Sequence, residues 1–285
     1  MRDQFLLSSD RMKKVVELFD QLKSLTQART VDTFGRDEEL LEFLRPFFQF
    51  LFLHYFRVSL SGKQHIPKHG PAIIVANHSG TLPYDGAMLH LAVHNVYPKA
   101  SGVRFLVDDF ISEWPYVSDL VRRLGGIPAS MANAIRLLKA EQTIAIFPEG
   151  VKGVGKYYDE RYDLKPFGHG GFVRLAMKSR ATIIPAAIIG AEEIHPMIAK
   201  CERLARPFGL PYIPITPTFP WLGPLGMIPL PTKWQIAFGK PLSFADAKPR
   251  DIENESLVLK KAEAIQKTIQ TMISARLKKR KSVWY

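Results

Sequence analysis

The chain has 285 residues, of which 46% are hydrophobic and 23% are charged. These values are those of an ordinary globular protein, and the length allows one large domain or two small ones. The net charge of +12 indicates an anionic partner, such as a membrane surface, a phosphorylated substrate or an acidic protein. We expect no nucleic-acid partner, because the basic residues are spread along the chain without a nucleic-acid-binding signature.

Cys201 is the single cysteine, which excludes an intrachain disulfide and fits a reducing compartment such as the cytoplasm. The apolar residues 5–7 are too few to form the core of a signal peptide. The longest apolar run, residues 46–53, falls short of the roughly 20 residues that a membrane-spanning helix needs. We therefore expect a cytoplasmic protein that associates peripherally with a membrane and does not cross it.

The N-terminal region, residues 1–56, is predicted to be helical. Apolar residues at helical spacing over residues 10–25 are typical of an amphipathic helix, which we expect to pack on its own domain. A second helix is predicted over residues 37–55, with a dense aromatic segment after Pro46. So many rings with flanking arginines can belong to a core or enter the acyl boundary of a bilayer, and of the two we expect the bilayer. The rings are those of Phe43, Phe47, Phe48, Phe50, Phe52, Tyr55 and Phe56.

Predicted strands and helices alternate from residue 57 onward, which is typical of βαβ units. The predicted strands are residues 57–60, 72–76, 103–107, 143–147, 182–188 and 234–238. The predicted helices are residues 85–94, 116–124, 131–140 and 170–178. The sequence therefore predicts an α/β fold with a mostly parallel central sheet flanked by helices. We assign residues 57–245 to this α/β domain and residues 246–285 to a C-terminal helix with a basic tail, all within one structural domain.

A proline-rich segment interrupts this alternation. Eight prolines lie among aromatic and aliphatic residues between positions 207 and 231, and residues 208–231 carry no charge. Repeated proline excludes a regular helix or a central strand, and an uncharged loop of this length is usually functional. The segment either covers a lipid tunnel, touches lipid or caps the sheet. The basic cluster at residues 276–281 either meets anionic lipid headgroups or ends a solvated helix.

Polar turns follow two of the predicted buried strands. His78 follows the second strand, and Asp85 stands where the next helix begins. A neutral imidazole can take a proton from a hydroxyl near pH 7, and a carboxylate on its other nitrogen fixes the tautomer. Glu149, Gly150 and Lys152 follow the fourth predicted strand, where glycine lets the backbone approach a ligand and lysine adds a cation. Because the carboxyl ends of parallel strands meet at one edge, the two turns predict a cleft.

These residues resemble the sequence blocks of the glycerophospholipid acyltransferase family, which includes the lysophosphatidic acid acyltransferases. Four blocks occur in the family's order within residues 57–240. They are Asn77-His78-Ser79 with Asp85, Arg104 with Pro115 through Gly125-Gly126-Ile127-Pro128, Phe147-Pro148-Glu149-Gly150, and Ile183-Ile184-Pro185-Ala186. The ordered set is much more specific than any one block.

The resemblance implies an O-acyltransferase that moves a fatty acyl group to a lipid hydroxyl, such as that of a lysophospholipid or a glycerol-3-phosphate derivative. The acyl donor would be acyl-coenzyme A or acyl-ACP (acyl carrier protein), used as a cosubstrate, with no bound cofactor and no metal. His78 would be the general base and Asp85 its partner. The residues that would place the acceptor are Arg104, Glu149, Gly150 and Lys152.

The sequence departs from the family pattern in two places. Six residues separate His78 from Asp85, where the family usually has four. Gly80 and Pro83 are the residues that would fold this longer turn back. The third block continues as Val-Lys-Gly instead of Thr-Arg-Ser, and lysine supplies only a point charge where arginine binds a phosphate with two parallel hydrogen bonds. A phosphate-bearing acceptor and a neutral lipid alcohol therefore both stay open.

Two other functions stay open as well: a catalytically inactive lipid-binding protein, which the long spacing suggests, and a hydrolase that passes the acyl group to water. Ser79 lacks the G-x-S-x-G context of a nucleophile, so we do not expect a serine mechanism. His90 and His94 have a spacing that can hold a metal, but no acidic residue joins them.

Overall fold

The computed structural model of the protein describes residues 31–68, 70–79, 82, 84–98, 102–107, 117–206 and 212–285. The predicted amphipathic helix at residues 10–25 lies outside the described residues. The same is true of Gly80, Pro83 and Pro115.

The strands of the described residues form two sheets. They are β1 (Ser59–Ser61), β2 (Ala72–Ala76), β3 (Val103–Val107), β4 (Gly126–Pro128), β5 (Thr143–Ile146), β6 (Thr182–Ile189), β7 (Ala199–Cys201), β8 (Ile213–Ile215) and β9 (Gln235–Phe238). The larger sheet has the order β1-β9-β6-β2-β5-β3-β4, and β7 pairs with β8 alone. Neighbours in the larger sheet are parallel except β6 and β9. The predicted α/β class with a mostly parallel sheet is confirmed.

Helices cover both faces of the larger sheet. They are α1 (Glu38–Phe50), α2 (Tyr84–Val96), α3 (Val117–Arg123), α4 (Met131–Lys139), α5 (Val151–Val154), α6 (Gly171–Ser179), α7 (Glu202–Ala205), α8 (Pro249–Glu253) and α9 (Glu255–Leu277). A π-helical turn, Leu51–Tyr55, continues α1. Short 3-10 turns occur at Lys63–His65, Tyr158–Glu160, Ala191–Glu193 and Gly223–Met227.

The central strand β2 is buried on both faces, which explains its unbroken apolar sequence. Because side chains alternate along a strand, Ile73 and Val75 pack into one core, together with α4, α6 and the long helix α9. Ile74 and its neighbours on the other face pack into a second core, with α2 and the π-helical turn. The strand therefore holds its carboxyl end rigidly between two packed layers.

The predicted strands are all present: residues 72–76 and 103–107 match in both bounds, and the ends of the other four differ by at most two residues. The sequence did not predict β4, β7 or β8, because each pairs over only three residues and shows no measurable alternation. The proline-rich segment contains no long helix or central strand within its described part, as predicted; it contributes β8 and the 3-10 turn Gly223–Met227.

The aromatic segment of the N-terminal region has two environments. Phe52 and Phe56 are buried, and the ring of Phe56 stacks on that of Trp234 with centroids 4.6 Å apart. Phe47, Phe50 and Leu53 are exposed. The segment therefore contributes to the core on one side and presents apolar surface on the other.

None of the helices in the described residues is both long and apolar enough to cross a membrane. Part of the basic C-terminal cluster makes contacts within the protein. Arg280 forms an ion pair with buried Glu193, with Nη1 and Oε2 2.7 Å apart, and Arg276 donates a hydrogen bond to Ser61 Oγ.

Candidate active site

His78 and Asp85 form a hydrogen-bonded pair at the carboxyl end of β2. Asp85 lies in the first turn of α2, and its Oδ2 is 2.6 Å from His78 Nδ1. A carboxylate only accepts hydrogen bonds, so Nδ1 carries the proton and Nε2 is the nitrogen that can accept one. The six residues between the two side chains therefore do not keep them apart.

The Asp85 carboxylate is held in place by backbone donors. It is fully buried, and it accepts hydrogen bonds from the N–H groups of Ser79 at 3.0 Å and Gly86 at 2.8 Å. On the other side of the imidazole, the Phe147 ring stacks on His78 with centroids 4.5 Å apart. The orientation of the imidazole is thus fixed by a carboxylate at its edge and an aromatic ring on its face.

The pKa of His78 is raised above its ordinary value of 6.5. Burial acts to lower this pKa, but the charge and hydrogen bond of Asp85, with the charge of Glu149, act in the opposite direction and prevail. Lys156 acts weakly to lower it. The raised pKa makes the neutral imidazole a better base and moves its useful range to higher pH.

Glu149, in the turn after β5, faces inward and holds the backbone of His78. Its Oε1 accepts the His78 N–H at 2.9 Å, and its Oε2 accepts the Lys165 N–H at 2.7 Å. The side chain is completely buried. Glu149 therefore ties the turn after β2 to the turn after β5.

A buried ammonium lies behind Glu149. Lys156 Nζ is 3.2 Å from Glu149 Oε2 and 3.0 Å from Glu192 Oε1. Glu192, which follows β6, also accepts a hydrogen bond from Asn77 Nδ2 at 3.3 Å. Burial raises the pKa of Glu192 to about 7, although Lys156 acts in the opposite direction. This cluster joins the ends of three neighbouring strands, β6, β2 and β5.

Gly153 in α5 allows the backbone to pass close beneath the pair. A Cβ atom at this position would lie 2.6 Å from Glu149 Cβ and 2.9 Å from His78 Cβ. Gly150, at the start of α5, has a φ of +53°, a conformation that L side chains rarely adopt. Gly153 is therefore required because there is no space for a side chain, and Gly150 is required because of its backbone conformation.

A cavity of about 690 Å³ opens beside His78. This volume falls in the range of roughly 300–1,000 Å³ that is typical of small-molecule sites. Near the pair, its wall includes Gly86, Phe147 and Gly150. The other apolar side chains of the wall include Leu41, Phe48, Leu91, Phe105, Leu106, Val107, Val121, Leu124, Ile146, Val151 and Val154. The cavity is therefore suited to an apolar chain that reaches the imidazole.

The polar residues of the cavity wall come mainly from α1 and α2. Arg36 pairs with Glu38, and Arg45 pairs with Glu42. His90 Nδ1 lies 3.2 Å from the carbonyl oxygen of Val103, and burial lowers the pKa of His90. His94 stacks parallel to His90 with ring centroids 6.3 Å apart.

Arg104 and Lys152 lie away from the His78 imidazole. The Arg104 guanidinium is fully buried, forms an ion pair with Asp32 and donates from Nε to Gln142 Oε1 at 3.0 Å. Burial lowers its pKa to about 10, so it stays charged near neutral pH. Lys152 is exposed on α5, and neither residue belongs to the described cavity wall. The structure brings His78, Asp85, Glu149 and Gly150 together.

Sequence reasoning assigned no role to Lys156 or Glu192. Gly153 was expected, with Gly150, to let the backbone of this turn bend sharply and approach a ligand, but its close approach to His78 was not predicted. Lys156 and Glu192 are 36 residues apart and have no local signature of a pair. The sequence did contain one signal for this cluster: Glu192 lies shortly after an unbroken apolar strand. An acidic residue in that position needs a positively charged or hydrogen-bonding partner when it is buried.

Comparisons with known proteins support one family, the acyltransferases. The sequence profile of the acyltransferase family matches residues 57–189, which include all the site residues that the sequence predicted. An uncharacterized protein of Mycobacterium leprae is 44% identical over 262 residues, which cover 92% of this chain and 71% of that protein. An uncharacterized protein of Mycobacterium tuberculosis is 42% identical over 262 residues, with coverage of 92% and 73%.

Among solved structures, the fold is similar to that of the 1-acyl-sn-glycerophosphate (LPA) acyltransferase PlsC from Thermotoga maritima. The TM-score is 0.53, and the match covers 86% of this chain and 80% of that chain. The sequence identity is 20%, so this likeness is evidence about the fold alone.

Proposed function

This chain belongs to the acyltransferase family, and from that premise we propose that it transfers a fatty acyl group from a thioester to the hydroxyl of a lipid. The donor is acyl-coenzyme A or acyl-ACP. The observation that carries the proposal is the His78–Asp85 pair in the wall of an apolar cavity. The pair supplies a base for a hydroxyl, and the cavity supplies room for an acyl chain.

In the proposed reaction, His78 Nε2 takes the proton of the acceptor hydroxyl as its oxygen attacks the thioester carbonyl. Asp85 stabilises the imidazolium that forms, and no acyl-enzyme is needed. When the tetrahedral intermediate collapses, the carbon–sulfur bond breaks and the imidazolium returns the proton to the thiolate. The products are an ester and a free thiol, and the base is regenerated. Such base catalysis is typically worth about 10²–10⁴-fold in rate.

The acceptor is placed, in this proposal, at the turn that contains Glu149 and Gly150. Glu149 acts through the His78 backbone, and Gly150 lines the cavity. Lys152 would supply a cation at the protein surface beside this turn, and Arg104 would support the site from its buried position on β3. A lysophospholipid or a glycerol-3-phosphate derivative is the acceptor class to test first, because the Thermotoga maritima protein of similar fold is a 1-acyl-sn-glycerophosphate acyltransferase.

The test is thiol release from a series of acyl-coenzyme A donors with lysophosphatidate, glycerol-3-phosphate and monoacylglycerol as acceptors. We expect release to depend on the acceptor and to fall about 10²–10⁴-fold in His78→Ala. Full activity in His78→Ala would remove the proposed base. Release without any acceptor would identify a hydrolase, and lipid binding without turnover of any pair would identify a binding protein.

Membrane association forms a separate part of the proposal. Exposed apolar side chains occur at Phe47 and Phe50 on α1 and at Trp221 and Leu225 in the proline-rich segment. The two regions are joined by the hydrogen bond from Tyr55 Oη to the carbonyl oxygen of Pro229, 2.6 Å long. Apolar side chains on a chain with net charge +12 suit an anionic bilayer surface.

Cosedimentation with vesicles that contain anionic phospholipid tests this part. We expect the double variant Trp221→Ser/Leu225→Ser to bind vesicles less than wild type. Met131→Ser is the matched control, since Met131 is also exposed but lies on α4, across the sheet from the π-helical turn. Wild-type protein that stays in the supernatant at low salt would contradict membrane association.

A further inference from the structure

We propose that Lys156 is a positioning residue of the active site: its ammonium holds Glu149 on the backbone N–H of His78 and thereby fixes the base. This inference rests on the proposed role of His78 as the base. Lys156 itself is not among the described residues that line the cavity beside His78.

The geometry gives Lys156 a definite place between two strand ends. Its side chain is 3% exposed, and Nζ contacts Glu149 Oε2 at 3.2 Å and Glu192 Oε1 at 3.0 Å. An ammonium this deeply buried needs close anionic partners, because the loss of hydration strongly disfavours an isolated charge. The position of the Glu149 carboxylate is therefore coupled to the ammonium.

Glu149 carries this coupling to the imidazole. Its Oε1 accepts the His78 N–H at 2.9 Å, while its Oε2, which faces Lys156, also accepts the Lys165 N–H at 2.7 Å. If the ammonium is lost, Oε2 keeps only the Lys165 N–H as a donor, and the Glu149 carboxylate is held less firmly against His78. A small displacement of His78 relative to its substrate is sufficient to lower the rate.

Charge provides a second link between Lys156 and His78. The charged groups that face His78 are Asp85 from α2, Glu149 from the turn after β5, and Lys156 behind it. Asp85 and Glu149 act to raise the pKa of His78, whereas Lys156 acts to lower it. Removal of the ammonium therefore raises the pKa of His78, so that the imidazole becomes neutral only at higher pH.

Glu192 provides a matched background for the test. Burial raises its pKa to about 7, so Glu192→Gln resembles the protonated form that is already populated near neutral pH. The glutamine oxygen can still accept from Asn77 and Lys156. In Glu192→Gln, Glu149 and Lys156 remain paired. The double variant Lys156→Met/Glu192→Gln removes the ammonium and one carboxylate together, so that its cluster has the same net charge as the wild-type cluster with Glu192 ionised.

The experiment compares kcat/KM as a function of pH for wild type, Glu192→Gln and Lys156→Met/Glu192→Gln, with acyl-coenzyme A and the preferred acceptor. The acid limb is the part of the pH profile in which kcat/KM rises as His78 loses its proton. We expect the acid limb of the double variant to lie at higher pH than that of Glu192→Gln. We also expect the kcat of the double variant to be lower than that of Glu192→Gln by up to about a hundredfold. Thermal unfolding, measured in parallel, reports the loss of stability separately.

A lowered Tm with an unchanged acid limb would mean that Lys156 is merely structural and would overturn the inference. Lys156→Gln, which keeps a donor in place without the charge, is the second variant and should show the same shift of the acid limb. Lys156→Arg, which keeps the charge, should retain the wild-type limb. Retention of activity by His78→Ala is a different result, because it removes the proposed base itself.

Discussion

Replacement of Gly153 by alanine tests how closely the backbone packs beneath the His78–Asp85 pair. Gly153 lies within α5, where helix propensity alone predicts that alanine stabilises the protein. The structure predicts the opposite. The new Cβ would lie 2.6 Å from Glu149 Cβ, about 0.9 Å closer than the shortest favourable carbon–carbon separation of about 3.5 Å.

The atoms that the new methyl group would meet cannot move alone. Both Glu149 Cβ and His78 Cβ are attached directly to the backbone, so the turns themselves must shift. Overpacking of this kind costs typically about 1–3 kcal/mol, against a gain of about 0.4–1 kcal/mol when alanine replaces glycine at a compatible position. With central values, a cost of about 2 and a gain of about 0.7 leave a net destabilisation of about 1.3 kcal/mol.

Activity should be more sensitive than stability to this change. A shift of the His78 turn moves the imidazole relative to the substrate, and displacements near 1 Å cost up to about a hundredfold in rate. We expect Gly153→Ala to fold with a lowered Tm, and its kcat in the thiol-release assay to fall by about tenfold to a hundredfold.

Gly171→Ala is the matched control for Gly153→Ala. Gly171 is the first residue of α6, is exposed, and has nothing within 4 Å of the position of a Cβ atom. We expect this variant to gain about 0.4–1 kcal/mol of stability with unchanged kcat. If Gly153→Ala behaves like Gly171→Ala in both measurements, the close approach beneath His78 is not real.

Three further outcomes are expected. Asp85→Asn should lower kcat/KM by about 10²–10⁴-fold. The acid limb of its pH profile should move to lower pH, because the carboxylate that raises the pKa of His78 is lost. An unaltered acid limb would contradict the effect of Asp85 on the pKa of His78. In wild type, kcat/KM should rise with pH through a midpoint above 6.5, because the pKa of His78 is raised. The stability that protonated His78 contributes should be complete below pH 6.5 and should be lost as the pH rises through the raised pKa. Denaturant titrations of wild type and Asp85→Asn at several pH values measure this contribution. Leu124→Trp should fill part of the cavity and shift the preferred donor to shorter acyl chains, since each methylene that is no longer buried costs about 0.8 kcal/mol, or about fourfold in affinity. The same chain-length profile in Leu124→Trp and wild type would show that acyl chains do not occupy this cavity.

The longer spacing between His78 and Asp85 shows what a motif can and cannot predict. The residue types predicted a base and its partner, but six intervening residues gave no distance between them. The packing of α2 against the sheet brings Asp85 Oδ2 within 2.6 Å of Nδ1. Backbone N–H groups of Ser79 and Gly86 then fix the carboxylate.

Arg104 is a second example of what a sequence pattern cannot predict, in this case along a strand. Arg104 is the second residue of the predicted strand 103–107, and period-two alternation predicts that its neighbour Phe105 faces the opposite side. The alternation does not say which of the two faces the site. In the structure Phe105 lines the cavity, and the Arg104 guanidinium lies against Asp32 and Gln142.

The sequence by itself determined the class of fold and the two turns that contain the candidate chemistry. Apolar runs, helical spacing and ordered motifs are local patterns, and local patterns decide which segments become strands, helices and turns. Strand order and register decided the rest. The contacts of Glu149 with His78 and of Asn77 with Glu192 join residues 71 and 115 positions apart. Such partners become neighbours only when β6, β2 and β5 pair side by side, so the buried charge cluster and the cavity beside it are properties of the tertiary structure.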